Sequence, residues 1–376
     1  MTGVDYPAES LAAVLPAVAG SLGSTRYAGP HPFALAPTRR AVVVLVDGLG
    51  ERLLRRRGGH APFLRSHAAS SRRLTCGFPS TTATSMGTFG TGLPPGSHGL
   101  VGYEVLIPGE DRLLNELSWE NGPDPFAWQP APTVFEHVAA EGIDVTRVGP
   151  AFFDGSGLTN AALRGGRFAA ATALDARVAV AVAAVRATRR ALVYLYWGDL
   201  DKVGHVYGVG SFEWGEELES VDRALRTLAE SVPSDTAVYI TGDHGMVDAP
   251  FETRIDLAAE PALLAGVRHV GGEPRSVQLY CQPGAQTDVE QVWRERLGEG
   301  AAVSTRSAMV HAGWFGDVRP EVEPRIGDVV ACMRGNLAVV HSGRMRPELL
   351  ALLGLHGSTS QDELAIPLIG IPARSA

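Results

Sequence analysis

Asp201 and His205 stand four residues apart in "DLDKVGH", Asp243 and His244 are adjacent in "TGDHG", and His356 follows late in "GLHGSTS". Carboxylates and imidazoles in such company, with no thiolate beside them, are the donors that zinc, manganese or iron takes in a catalytic site. Asp47 belongs with them. It closes the apolar run "VVVLVDGLG", and a buried strand can end on a carboxylate when a divalent cation neutralises it. Two cations roughly 3.5 to 4 Å apart use about this many ligands and clamp both the entering and the leaving oxygen of a phosphoryl transfer. Each cluster alone reads as an ordinary turn, since Asp-Gly and Asp-His-Gly are common turn formers; the combination points to a metal centre.

A nucleophile is offered by "GFPSTTATSM". Thr82 sits where "FPSTT" gives way to the helix-compatible "TATSMGTFG", and a helix N-terminus turns backbone N–H groups and the positive dipole end toward a phosphoryl group. A threonine hydroxyl is a poor nucleophile until a cation or base activates it. Thr81, Thr84 and Ser85 are local rivals whose bland role is capping; the register with "FP" favours Thr82.

The elements that must position these groups are short β-type runs separated by helical stretches: residues 41 to 48, 72 to 80, 144 to 150, 191 to 199, 236 to 243 and 365 to 370. Near-continuous Val/Ile/Leu/Tyr runs between helices predict an α/β fold, a largely parallel sheet covered on both faces. Ligands in such sheets bind beyond the carboxyl ends of the strands, where Asp47, Asp199, Asp201, Asp243 and His244 all fall. Gly204 is expected to allow a tight backbone path between Asp201 and His205. The segment "SFEWGEELESVDRALRTLAESV" reads as a surface helix, and "FAAATALDARVAVAVAAVRATRR" as the most apolar helix. From about 249 to 340 the order is less regular, which predicts a smaller α+β lobe within a single catalytic domain spanning 1–376.

The 376 residues, 45% hydrophobic, suffice for one large core, and the net charge of −8 with no basic run excludes a nucleic-acid polymer or an anionic membrane as the main partner. A small anionic substrate then needs locally placed positive charge. Lys202 is the sole lysine; it either meets substrate between two ligands or faces solvent. Cys76, Cys281 and Cys332 lie far apart, which fits a reducing compartment rather than a disulfide framework. The first twenty residues, with Asp5 and Glu9 and no basic n-region, read as a docking helix, and the expected location is the cytoplasm.

The chain resembles the type I phosphodiesterase/nucleotide pyrophosphatase branch of the alkaline phosphatase superfamily. The likeness rests on Asp47 in "VVVLVDG", Thr82 in "FPSTTATS", "TGLPPGSHGLVG", Asp201 to His205, "DHG" at 243 to 245 and "HG" at 356, in the expected order over about residues 41 to 370. It implies an alkaline phosphatase-like fold and two zinc ions, with manganese or iron as alternatives. One is implied to be held by Asp201, His205 and His356, the other by Asp47, Thr82, Asp243 and His244. The implied activity is hydrolysis of phosphodiesters or nucleotide pyrophosphates through a covalent phosphothreonine on Thr82. The substrate is implied to be small and phosphate-containing, a nucleotide among the candidates.

Two positions depart from the branch. Tyr103 stands where an Asn usually donates to a phosphoryl oxygen, and Ser85-Met86 replaces an Asn-His pair. A phenol donates from a longer reach, so Tyr103 is the expected substrate contact. His98 is expected to be structural, Asp199 a spare ligand or a partner for an imidazole N–H, Arg275 a turn residue, and Trp119, Phe126 and Trp128 a packed cap. A phosphomonoesterase, a phosphonate-ester hydrolase and a non-catalytic metal-dependent binding protein are the alternative readings. The sulfatase pattern C/S-x-P-x-R is absent from "FPSTTATS", and no long insertion follows the nucleophile region to hold a mutase's sugar phosphate.

Overall fold

A computed structural model describes residues 3, 4, 6 and 8–374; Asp5 and both ends of the 1–376 span lie outside the described residues. Its strands are β1 (Arg40–Val46), β2 (Ser71–Thr75), β3 (Asp144–Gly149), β4 (Arg167–Ala170), β5 (Ala191–Trp197), β6 (Thr236–Thr241), β7 (Val267–Glu273), β8 (Ser276–Cys281), β9 (Ala301–Thr305), β10 (Val329–Met333) and β11 (Ala365–Ile371), with shorter pairs elsewhere. The longer helices are α1 (Val14–Ser21), α2 (Thr82–Thr91), α3 (Val134–Ala140), α4 (Leu174–Ala187), α5 (Asp199–Tyr207), α6 (Phe212–Ser231) and α7 (Gln286–Leu297).

Seven strands form the central sheet in the order β2-β11-β6-β1-β5-β3-β4. Only β11 runs against its neighbours; the remaining pairs, β6-β1-β5-β3-β4, are parallel. The apolar run of β1 divides strictly by parity. Ala41, Val43 and Leu45 enter the core shared with α1, α2 and α3, while Val42, Val44 and Val46 enter the core shared with α4 and α6. A strand buried on both faces needs apolar residues at every position, so the α/β expectation with helices on both faces is borne out.

One element was hidden in the sequence. The opening "FAA" of the stretch read as wholly helical belongs to the edge strand β4, paired with β3, and the helix starts only at Leu174. Alanine carries little β-preference, and an unbroken apolar run gives no mark where one period gives way to the other. Between residues 267 and 333, β7-β8-β10-β9 form a second, antiparallel sheet. This sheet and α7 bury a separate cluster around Leu279, Trp293 and Val329. At the other end, α1 is sunk into the larger core, with Val14, Leu15 and Val18 fully buried.

Candidate active site

The carboxyl ends of β1, β5 and β6 meet at one place. Asp47 follows β1, and Gly48 next to it has φ +74°, a left-handed conformation in which a Cβ would stand 3.0 Å from the Asp201 Cα. Glycine is required there both for the backbone and for the close approach. Asp243 follows β6, and its Oδ1 accepts from the Gly48 and His244 amides at 3.1 and 3.0 Å. Asp201 and His205 lie one turn apart on α5, so the four-residue spacing puts both on one helix face. Gly204 is inside that helix rather than in a turn; a side chain there would meet Met246 Sδ at 2.6 Å, so packing explains the glycine.

The latest ligand is brought in by a clasp between two loops. Ser80 and Gly357 form a β-bridge. The Ser80 hydroxyl donates to the Ser358 carbonyl at 2.8 Å, and the Gly357 amide donates to the Ser80 hydroxyl at 3.1 Å. His356 and the loop before α2 are thereby fixed together across most of the chain.

All three imidazoles are oriented alike. His205 Nδ1 lies 2.7 Å from the Gly354 carbonyl, His244 Nδ1 3.0 Å from the Gly245 carbonyl, and His356 Nδ1 2.9 Å from the Ser80 carbonyl. A carbonyl only accepts, so each Nδ1 carries a hydrogen, and Nε2 is the ring atom that each turns toward the site. His205 Nε2 is 3.1 Å from Asp201 Oδ2. His244 Nε2 is 3.4 Å from Asp47 Oδ1, 3.5 Å from Asp243 Oδ2 and 3.2 Å from Thr82 Oγ1. His356 Nε2 is 3.9 Å from Asp201 Oδ1, and its ring stacks on His244 with centroids 3.7 Å apart.

Three carboxylate oxygens, Asp47 Oδ1, Asp201 Oδ1 and Asp243 Oδ2, are buried without a hydrogen-bond partner. Unpaired carboxylate oxygens are costly in an interior, and here they converge with the Nε2 atoms of His244 and His356. Two groups can each hold an ion: Asp201, His244 and His356, and Asp47, Asp243 and His244. The donor set fits divalent cations. The electrostatics agree. Burial, then the Asp243 and Asp201 carboxylates, raises the Asp47 pKa well above its usual range, although Tyr196 donates to Asp47 Oδ2. Asp243 is raised by burial as well. For Asp201 burial acts upward, but the His205, His356 and His244 imidazoles outweigh it and hold the carboxyl low. His356 is held neutral by burial and by His244.

Thr82 opens α2. Its rivals face elsewhere: the Thr81 hydroxyl is engaged by Glu273, Thr84 is fully buried, and the Ser85 hydroxyl donates to the Asp243 carbonyl at 2.7 Å. Tyr103 lines a cavity with Asn115 and Glu273; it is not among the residues that line the cavity at Thr82. Asp199 and Lys202 are exposed on α5. His98 is fully buried, its Nε2 3.1 Å from the Thr88 hydroxyl and its Nδ1 accepting from the Leu100 amide, a structural role. Arg275 is more than a turn residue: it is fully buried and paired with Glu363 at 2.8 Å. Trp119 and Trp128 pack inside, whereas Phe126 is exposed.

Sequence reasoning missed Tyr196, Ser80, Glu273 and Arg147. Tyr196 had a weak signal, a polar tip near the end of the β5 run. Arg147 had a clearer one, a lone charge inside the apolar β3. With Thr82, Asp47 and Asp201, Arg147 lines a cavity of about 450 Å³.

The parallel sheet with a metal-type donor cluster at its carboxyl ends defines an alkaline phosphatase-like protein. The family model for type I phosphodiesterase/nucleotide pyrophosphatase matches residues 41–359, and the chain belongs to that family. It is accordingly a hydrolase of phosphoric ester or anhydride bonds, of a metal-dependent superfamily. Murine ectonucleotide pyrophosphatase/phosphodiesterase 5, solved as an inactive variant with AMP, shares the fold with a TM-score of 0.71 at 17% identity, over 88% of this chain and 87% of that one. The human counterpart gives 0.71 at 18% identity, over 89% and 88%. Phosphonoacetate hydrolase from Sinorhizobium meliloti, solved with phosphonoacetate, gives 0.68 at 20% identity, over 89% and 90%. A curated relative, GPI ethanolamine phosphate transferase 3 of Eremothecium gossypii, is 40% identical over 47 residues, 12% of this chain and 5% of that protein's length.

Proposed function

We propose that this protein hydrolyses phosphodiesters or nucleotide pyrophosphates in the cytoplasm, with Thr82 as nucleophile and two divalent cations, zinc foremost, as cofactors. The reading is carried by one observation: the Thr82 hydroxyl at the helix start lies 3.2 Å from His244 Nε2, inside a ring of buried, unpartnered carboxylate oxygens. Asp201, His205 and His356 would hold one cation, and Asp47, Asp243 and His244 the other, with Thr82 beside it. Bound there, the cations supply Lewis-acid stabilisation of phosphoryl oxygens and lower the pKa of a coordinated hydroxyl or water.

The chain's own part is positioning. Thr82 Oγ forms the new P–O bond as the bond to the leaving oxygen breaks, and water then cleaves the phosphothreonine ester. The first amides of α2 face the phosphoryl oxygens. Tyr196 holds Asp47 through a hydrogen bond, and the Ser85 hydroxyl fixes the Asp243 backbone. An inactive threonine-to-alanine variant of the murine neighbour, solved with AMP, adds weight to a threonine at this place and to a nucleotide as substrate.

Turnover of a panel of nitrophenyl mono- and diesters with added zinc or manganese tests the proposal. Diester cleavage is expected, exceeding that of the monoesters; no turnover of any of them would refute it.

A further inference from the structure

The cavity beside Thr82 contains a cation, Arg147, that no carboxylate among the described residues meets in an ion pair. Arg147 lies in the middle of three in-register residues, with Phe168 of β4 on one side and Tyr194 of β5 on the other, so all three project from one face of the sheet. The residue is 9% exposed. Its guanidinium carbon stands 5.5 Å from the centre of the Phe168 ring, and its Nε is buried without a partner. Among the described residues it makes no hydrogen bond and no ion pair; Asp154 acts on it only through its field.

The other buried arginines are treated differently. Arg275 has Glu363, Arg164 donates to the Gln129 and Ala131 carbonyls, Arg177 to those of Ala171 and Tyr196, and Arg325 to those of Gly99 and Trp128. A guanidinium cannot shed its proton, and burying its Nε without an acceptor is costly. A cost of this kind, at the wall of a cavity that also holds the nucleophile, is the mark of a group kept for a ligand. The planar fork fits an oxyanion.

The sheet geometry says which oxyanion. Arg147 is in register with Tyr194, and Tyr194 with Val43. Asp47 is therefore two strands away laterally and four residues further along, roughly 16 Å from Cα to Cα at ordinary strand spacings. An arginine side chain spans less than half of that, so the guanidinium stands clear of the Asp47 carboxylate. The cavity they share is lined in part by the apolar side chains of Met86, Phe153, Leu158 and Leu163.

We propose that Arg147 is a specificity-determining residue that binds a second oxyanion on the substrate, a carboxylate or a further phosphate, separated from the scissile phosphoryl group by an apolar or aromatic stretch. The inference rests on the hydrolase reading above and deepens it, assigning the substrate class as a dianionic ester or anhydride.

The test uses zinc-loaded protein and three aryl 4-nitrophenyl phosphodiesters whose aryl group carries a para carboxylate, a para phosphonate or a neutral para carboxamide. The expected result is a kcat/KM ratio of charged over neutral substrate well above one, which falls roughly 10- to 100-fold in Arg147→Gln, the range for a charge-assisted hydrogen bond, and partly recovers in Arg147→Lys. The charged diester with the larger ratio identifies the anion. A ratio unchanged by Arg147→Gln overturns the inference. Equilibrium dialysis of the same diesters against zinc-loaded Thr82→Ala needs no turnover. An Arg147-dependent affinity ratio there upholds the inference even where hydrolysis fails, and a ratio near one overturns it while hydrolysis stands. Without ligand, Arg147→Gln is expected to melt at or above the wild-type temperature; a drop of several degrees marks a structural arginine and refutes the assignment.

Discussion

Asp47→Asn is expected to change the sign of its effect on stability with the metal content of the protein. In the metal-free state Asp47 Oδ1 is buried and unpartnered, and burial together with Asp243 and Asp201 drives the carboxyl pKa upward. An asparagine keeps an acceptor for the Tyr196 hydroxyl and turns an amide donor toward its acidic neighbours, which relieves about 1–3 kcal/mol. In the loaded state the same change removes a ligand. A cation at about a thousand times its Kd stabilises the folded state by about 4 kcal/mol. Unfolding entropy of about 2.1 cal/mol/K per residue, over 376 residues, amounts to about 0.8 kcal/mol/K. Losing one cation should thus lower Tm by about 5 °C, whereas the metal-free variant should melt about 1–4 °C above the metal-free wild type. Differential scanning calorimetry with and without a chelator reads both numbers, and elemental analysis should find one of two equivalents retained. A variant that melts lower in both states, or keeps both equivalents, refutes the reasoning.

Thr82→Ala should abolish nitrophenol release while metal content and Tm hold; Thr81→Ala, which loses only the contact to Glu273, should keep most of the turnover, and the reverse ranking would move the nucleophile by one residue. His98 is pushed down to about 3 from 6.5, by burial first and then by Arg319 and Arg325. Its folded imidazole stays neutral while the unfolded one takes up a proton, so its share of stability is lost as pH falls below 6.5, by about 1.4 kcal/mol per pH unit. Urea unfolding of chelated protein at several pH values should show that slope flattened in His98→Asn; equal slopes would refute the assignment. Arg275→Met leaves the buried Glu363 carboxylate uncompensated and should cost about 3–5 kcal/mol in denaturant unfolding; a loss under about 1 kcal/mol would mean that the pair is not buried in solution.

What was legible in the sequence follows a physical division. The sheet announced itself because strands buried on both faces must be apolar at every position, as Ala41 to Val46 are, and the metal-type cluster because acids at the ends of such strands have no other means of neutralisation. Asp201 and His205 carried their geometry in their spacing, one helical turn. The strand β4 did not show, because its alanines pack as well in either state and only the neighbouring β3 selects one. Tyr103 illustrates a different limit. Correspondence by position set it where a phosphate donor belongs, and the fold adds that it lines a cavity with Asn115 and Glu273, since register along a chain does not by itself fix the direction of a loop residue.

Arg147 carried a signal in the sequence but, unlike Asp47, no assignment. Asp47 falls in line with acids and imidazoles at the ends of other strands, whereas Arg147 lies within its strand in "DVTRVGP" and no motif accompanies it. Its meaning emerges only from the absence of a partner in three dimensions. The same surroundings that leave it unpaired also separate it from the acids: β5 lies between β3 and β1, and the aromatic ring of Tyr194 occupies the intervening register. Were Arg147 one strand closer, it would salt-bridge Asp47 or Asp201 and compete with the cations for those carboxylates. Placed two strands away, it leaves the acids to the metals and still contributes positive potential to the shared cavity, which steers an anion toward three carboxylates that would otherwise repel it. The spacing between cation site and guanidinium is therefore as much a part of the chemistry as either group, and shortening it, for example by Tyr194→Arg, should lower metal occupancy before it alters substrate preference. Metal analysis of that variant showing both equivalents retained would refute this account.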